Sequence, residues 1–308
     1  MRWKIAIAFL AVYVFWGMTY LAMRVAVEEI PPYLMAGTRF VLAGATLFAW
    51  ARRRGDPAPS VQQWRAAAVV GGFLLLGGNA SVAWAEQRVP SGLAALLIGV
   101  MPIWMVGLEW LRRGSRPSKQ VVAGLLLGAV GVGLLVLPQG SGNGMDLLGA
   151  AVLILAAASW AWGSVISKSA PLPKSPFLAT SMEMIAGGIL CLVVAALSGE
   201  LRGFSLADVS GRAALAWHLV VFGSLVAFTA YIWLLGVTSI AKVGTYAYVN
   251  PIVAVLLGWA VLGEPITMRT VAAAAVILLG VALVNVDWRV TSPFGLRRRL
   301  KPGGPRDY

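Results

Sequence analysis

Apolar residues along this chain come in unbroken runs, each long enough to cross a bilayer, with charge, proline or glycine between them. A hydrocarbon core of about 30 Å takes about 20 apolar residues in helical form. Runs of that kind lie at residues 5–27, 33–51, 66–85, 91–111, 119–137, 147–167, 177–197, 213–235, 241–262 and 269–287. Stretches such as Val121 to Leu137 are continuously apolar and lack the in-out alternation of an outer-membrane strand. The pattern predicts an all-α membrane protein of ten transmembrane helices with short connections. The first run follows Met1-Arg-Trp-Lys and is too long for a signal peptide, so it reads as a retained span.

Composition agrees with the pattern. Of 308 residues, 59% are hydrophobic and 12% charged, against roughly a quarter charged in a soluble domain. The net charge of +13 would raise nucleic-acid binding in a soluble protein, but here its placement along the chain reads as topology. If alternate connections lie on opposite sides, Arg2, Lys4, Arg52 to Arg54, Arg112, Arg113, Lys168, Lys174 and the basic tail share one side. The other set holds only Arg88, Arg202, Arg212 and Arg269. Lysine and arginine collect in cytoplasmic loops, which predicts a multi-pass cell (inner) membrane protein with both termini cytoplasmic. Residues 289–308, rich in Pro, Gly and Arg, read as a disordered basic cytoplasmic tail.

The chain repeats itself. A shift of 149 positions lays Val100, Pro102, Ile103, Trp110 and Gly114 on Val249, Pro251, Ile252, Trp259 and Gly263, and slightly smaller shifts lay Trp16-Gly17 on Trp162-Gly163. Each half then carries five spans, in residues 1–140 and 141–288, and an odd number sends the second copy through the membrane upside down. Two inverted five-helix repeats are the pattern of alternating-access transporters, whose site lies at mid-membrane between the halves.

Several stretches resemble the EamA family of the drug/metabolite transporter superfamily, and within it the YedA-type inner-membrane transporters. They are Tyr13 to Tyr20, Pro31-Pro32 leading into Arg39-Phe40, Gly78 to Gly92, Ser159 to Val165, Met182 to Gly187, Tyr246 to Leu257 and Gly263-Glu264. The resemblance implies two inverted five-helix repeats around a central cavity and efflux of small metabolites, without specifying a substrate.

Polar and aromatic residues inside spans are the functional candidates. Trp16, Tyr20, Trp104, Trp160, Trp162, Tyr246 and Tyr248 sit at mid-membrane depth, where they either pack between helices or bind planar or cationic solutes, and Trp162 is singled out because it matches Trp16 across the repeat. Asn79 and Glu86 are seven residues apart and share a helix face, and Asn250 lies inside the ninth span. Arg39, Glu86 and Glu183 are costly in lipid and stand out as charge or coupling candidates, with Glu86 the expected partner of Arg39 and Glu28 and Glu29 competing for that role. Glu183 is either a site that binds and releases a proton or a structural glutamate, permanently protonated or paired with Lys168. Pro102 and Pro251 either kink their helices for packing or form a gate. Glu264 reads as a turn element before the last span.

The chemistry that is missing narrows the function. No G-x-x-x-x-G-K-[ST] loop, H-E-x-x-H or G-x-S-x-G occurs, and one cysteine and one histidine offer neither a disulfide nor a metal cluster. These observations favour a monomeric secondary transporter working without metal or cofactor, whose partners are a small-molecule substrate, the lipid bilayer and possible coupling protons, and not nucleic acid. An intramembrane enzyme, a channel and a sensor are the alternatives.

Overall fold

A computed structural model describes residues 2–113, 118–136, 146–237, 243 and 246–285. All regular structure among them is helical. We number the helices α1 (Arg2–Ala26), α2 (Pro32–Arg53), α3, α4 (Ser91–Ile98), α5 (Met101–Arg113), α6 (Lys119–Val136), α7 (Leu147–Ser167), α8 (Pro176–Leu197), α9, α10 (Tyr246–Leu262) and α11 (Met268–Asn285). α3 runs Val61–Gly71, widens into a π segment at Gly72–Ala80 and ends as Ser81–Ala85. α9 does the same, with Gly211–Gly223, a π segment at Ser224–Phe228, and Thr229–Val237. Among the described residues six helices are long and apolar enough to cross a membrane, and four shorter apolar helices accompany them.

Local chemistry marks the helix starts. Ser60 and Gln63 form a capping box on α3, Asp146 Oδ1 accepts from Gly149 N at 2.6 Å on α7, and Ser210 caps α9. α2 and α8 both begin at a proline, where the missing N–H costs nothing. The run expected as one span at 91–111 is broken between Ile98 and Met101, at Gly99-Val100. Pro102 therefore stands in the first turn of α5, where proline is tolerated, whereas Pro251 lies inside α10.

Helices approach closely where glycines face a neighbour. A Cβ at Gly188 would lie 2.9 Å from Val41 N, which lets α2 and α8 pack backbone to backbone. A Cβ at Gly280 would lie 2.7 Å from Gly124 O and Gly128 N, the same device between α11 and α6. The π segment of α3 frees carbonyls from the regular ladder. Two serine hydroxyls cover them, as Ser159 Oγ donates to Phe73 O at 2.8 Å and Ser81 Oγ to Leu76 O at 3.3 Å.

The packing follows a pattern. α2 lies on α8 and α6 on α11, α1 packs on α9 and α10, and α7 packs on α3, α4 and α5. Two large buried apolar clusters follow, one around Met23, Met35, Leu97 and Leu153 and the other around Phe40, Leu75, Met101 and Phe228, with a small third around Leu178 and Met182. Outward-facing leucines such as Leu10, Leu126, Leu155 and Leu215 remain exposed. A bilayer supplies the apolar partner for such a surface.

Candidate substrate cavity

Between the clusters lies a cavity of about 50 Å³, lined by α1, α3, α4, α5, α7 and α10. Trp16, Thr19 and Tyr20 reach it from α1, Asn79 from the π segment of α3, and Trp160 from α7. Met101 comes from the start of α5, and Tyr246 and Asn250 from α10. At roughly 10–15 Å³ per water, it holds about four waters. A smaller void of about 10 Å³ shares Trp16, Thr19, Asn79 and Trp160 with it and adds Arg39, Phe40 and Ser224.

An aromatic cluster forms the wall. Trp16 meets Trp160 edge to face at 5.6 Å and Tyr246 at 5.1 Å, and Tyr231 closes the group at 5.0 Å from Trp16. Hydrogen bonds orient it, with Tyr246 Oη donating to Met101 Sδ at 3.4 Å and Ser164 Oγ 3.1 Å from Tyr231 Oη. Ser164 also donates to Trp160 O at 2.8 Å. The polar wall is different. Arg39 is 2% exposed, hydrogen-bonds through Nη2 to Asn79 Oδ1, and lays its guanidinium 4.2 Å from the Phe40 ring centre. Its Nε and the Asn250 Oδ1 are buried without a hydrogen-bond partner.

The sequence candidates divide on placement. Trp16, Tyr20, Asn79, Tyr246 and Asn250 line the cavity together. Trp104 is exposed at 38% on the outer surface, and Trp162 is half-buried away from the lining. The side chains of Pro102 and Tyr248 lie outside the described residues. Trp160 takes the place expected of Trp162, because two residues along a helix turn a side chain by about 200°. A stripe of small buried residues, Ala156, Ala157, Ala161 and Ser164, marks the inner face of α7, and Trp160 lies on it. That stripe was the available signal.

Two buried carboxylates have oxygens without hydrogen-bond partners. Glu86 is fully buried, but both its oxygens lack a hydrogen-bond partner; Arg39 turns to Asn79, and Arg24 donates to the Glu86 main-chain oxygen. Glu183 is likewise buried with both oxygens unpartnered, and it is not among the cavity residues.

Carboxylates in the connections tie helix starts across the fold. Glu264 accepts from Ser91 N at 2.9 Å, Ser91 Oγ at 2.8 Å and Gly92 N at 3.1 Å, capping α4. Glu200 accepts from Leu34 N at 2.9 Å at the start of α2, and Asp56 from Ser175 Oγ at 2.6 Å before α8. Glu29 accepts from Ser210 N at 2.6 Å and Ser210 Oγ at 2.8 Å. These bonds, helped by the charge of Arg212, hold the Glu29 carboxyl below the usual carboxylate range.

The EamA-like transporter family matches the chain twice, over residues 3–137 and 147–286. The chain belongs to that family. Membership makes it a membrane transporter and sets it among transporters rather than enzymes. It is 36% identical to the uncharacterized inner membrane transporter YedA of Escherichia coli K12, over 91% of this chain and 90% of that one. A WAT1-related chloroplastic protein of Arabidopsis thaliana is 28% identical over 88% of this chain and 67% of its own. A protein crystal structure matches with a TM-score of 0.64 at 21% identity, over 92% of this chain and 96% of that one, a likeness of fold alone.

Proposed function

We propose that the chain is a ten-helix secondary transporter that exports small amino-acid-like, aromatic or drug-like metabolites across the inner membrane by alternating access. The observation that carries this reading is the buried cavity, whose aromatic and amide walls come from both halves of the chain. The reading takes residues 1–140 and 141–288 as inverted five-helix repeats, with α4 and α5 forming one broken span. Exchange-related packing supports it: α1 on α9 answers α7 on α3, and α1 on α10 answers α7 on α4 and α5. The π segments of α3 and α9 fall in corresponding helices, and the family matches once in each half.

The connections support the topology. Glu29 joins the first connection to the seventh, Asp56 the second to the sixth, and Glu264 the ninth to the end of the third. Each pair has the same parity, as ten spans require, and the positive-inside rule then puts both termini in the cytoplasm. Alternating access needs the cavity to open to one side at a time, and a lining drawn from both halves of the chain lets their relative movement do so.

Reconstitution of the full chain into liposomes tests the function, with flux measured for panels of amino acids, aromatic amines and sugars. Saturable flux of one class above that of empty liposomes is expected; folded protein that moves none of them refutes the reading. Glu183 serves in this reading as the proton-coupling group, so Glu183→Gln should keep substrate binding and lose the dependence of flux on a proton gradient. Gradient-driven flux of normal size in that variant removes Glu183 from the coupling role.

A further inference from the structure

Arg39 is a cation lining the small void beside the cavity, and part of its guanidinium is unused. Arg39 is 2% exposed, and its guanidinium is braced by the Asn79 amide and the Phe40 ring. Its Nε is buried and unpartnered. Guanidinium groups pair with carboxylates through two parallel N–H···O bonds, and the unused Nε is half of such a fork. Glu86 acts on Arg39 through its charge but makes no hydrogen bond to it through either oxygen, and Asn79 is neutral, so the Nε fork position stays unfilled. The void beside Arg39 shares Trp16 and Trp160 with the lining of the main cavity.

We infer that the cavity recognises a monocarboxylate with a planar apolar body, the carboxylate on Arg39 and the body against Trp16, Trp160 and Tyr246. The inference rests on the transporter reading and assigns the substrate class of that site. Arg39 is the residue that sets the class: burial makes its unfilled fork costly and a ligand anion favourable. Asn79 acts as a positioning residue, since its amide oxygen holds the guanidinium at the cavity edge. The aromatic wall supplies apolar faces and edges without a countercharge, which suits an uncharged ring. A cavity of about 50 Å³ is smaller than such a solute, so the helices must part to admit it.

The test is a binding series on the detergent-purified full chain at neutral pH, using 3-phenylpropionate, its primary amide and 3-phenylpropylamine, read by tryptophan fluorescence and by calorimetry. The acid should bind roughly 10- to 100-fold more tightly than the amide, the range expected for charge-assisted hydrogen bonds. Arg39→Gln should bring acid and amide to within a few-fold of each other, and Arg39→Lys should recover only part of the difference because an ammonium has no fork. Equal affinities of acid and amide for the wild-type protein overturn the assignment, as does a preference for the amine or an acid preference that survives in Arg39→Gln. Failure of all three probes to bind overturns it too. If Arg39→Gln does not fold, the wild-type series alone decides. Flux of solutes without an acid group, at wild-type strength, leaves the transporter reading standing while this one falls.

Discussion

Removing Trp160 should damage the cavity, while removing Trp162 two residues later should not. Trp160 touches three rings: Trp16 edge to face at 5.6 Å, Tyr231 at 6.0 Å and Phe228 at 6.1 Å. Aromatic pairs contribute about 0.5–1.5 kcal/mol each beyond their area burial, so the three amount to about 1.5–4.5 kcal/mol. Trp162 makes no ring contact among the described residues and is not part of the cavity lining. Two consequences are measurable. In detergent, Trp160→Ala should melt well below wild type, whereas Trp162→Ala should melt within a few degrees of it. Binding of an aromatic solute loses one ring face in Trp160→Ala, a weakening of roughly 2- to 13-fold if one contact of this strength is lost. Trp160→Phe separates the effects, since it retains a ring and should recover most of the binding. The reasoning fails if both alanine variants bind and melt alike, or if Trp162→Ala is the weaker binder.

Glu264→Ala removes three hydrogen bonds from the start of α4 and should cost about 2–4 kcal/mol, seen as a lower melting temperature; an unchanged one means the cap is made only in passing. Glu29 has a carboxyl lowered by Ser210, so its contact contributes fully above the ordinary carboxylate range and is lost as pH falls through the lowered value. Melting scans from neutral to pH 3 should therefore show an acid-side loss that Glu29→Gln removes, and an identical profile in the two proteins contradicts the linkage. Gly280→Leu places a side chain against the Gly124 and Gly128 backbone at the α6–α11 contact and should reduce recovery of folded protein from detergent, whereas Gly107→Leu, which meets nothing within 4 Å, should not.

Hydropathy alone determined that the chain is a bundle of membrane helices and roughly where each begins. Excluding water from a helical backbone takes a long apolar run, and that requirement is written in consecutive residues. The same runs single out Trp16, Asn79 and Asn250 as polar and aromatic residues inside spans, and these three line one cavity. Which face each helix turns inward was not legible there. Lipid and protein interior are both apolar, so a run such as Leu147 to Ser167 carries little contrast between its sides. Trp160 and Trp162 look alike in sequence; only the packing of α7 on α3 puts the first in the cavity. Polar partnerships are also tertiary. Arg39 meets Asn79 instead of Glu86, and Glu264 reaches Ser91 and Gly92, because hydrogen bonds depend on interhelical register to within an ångström and no spacing along the chain encodes that register.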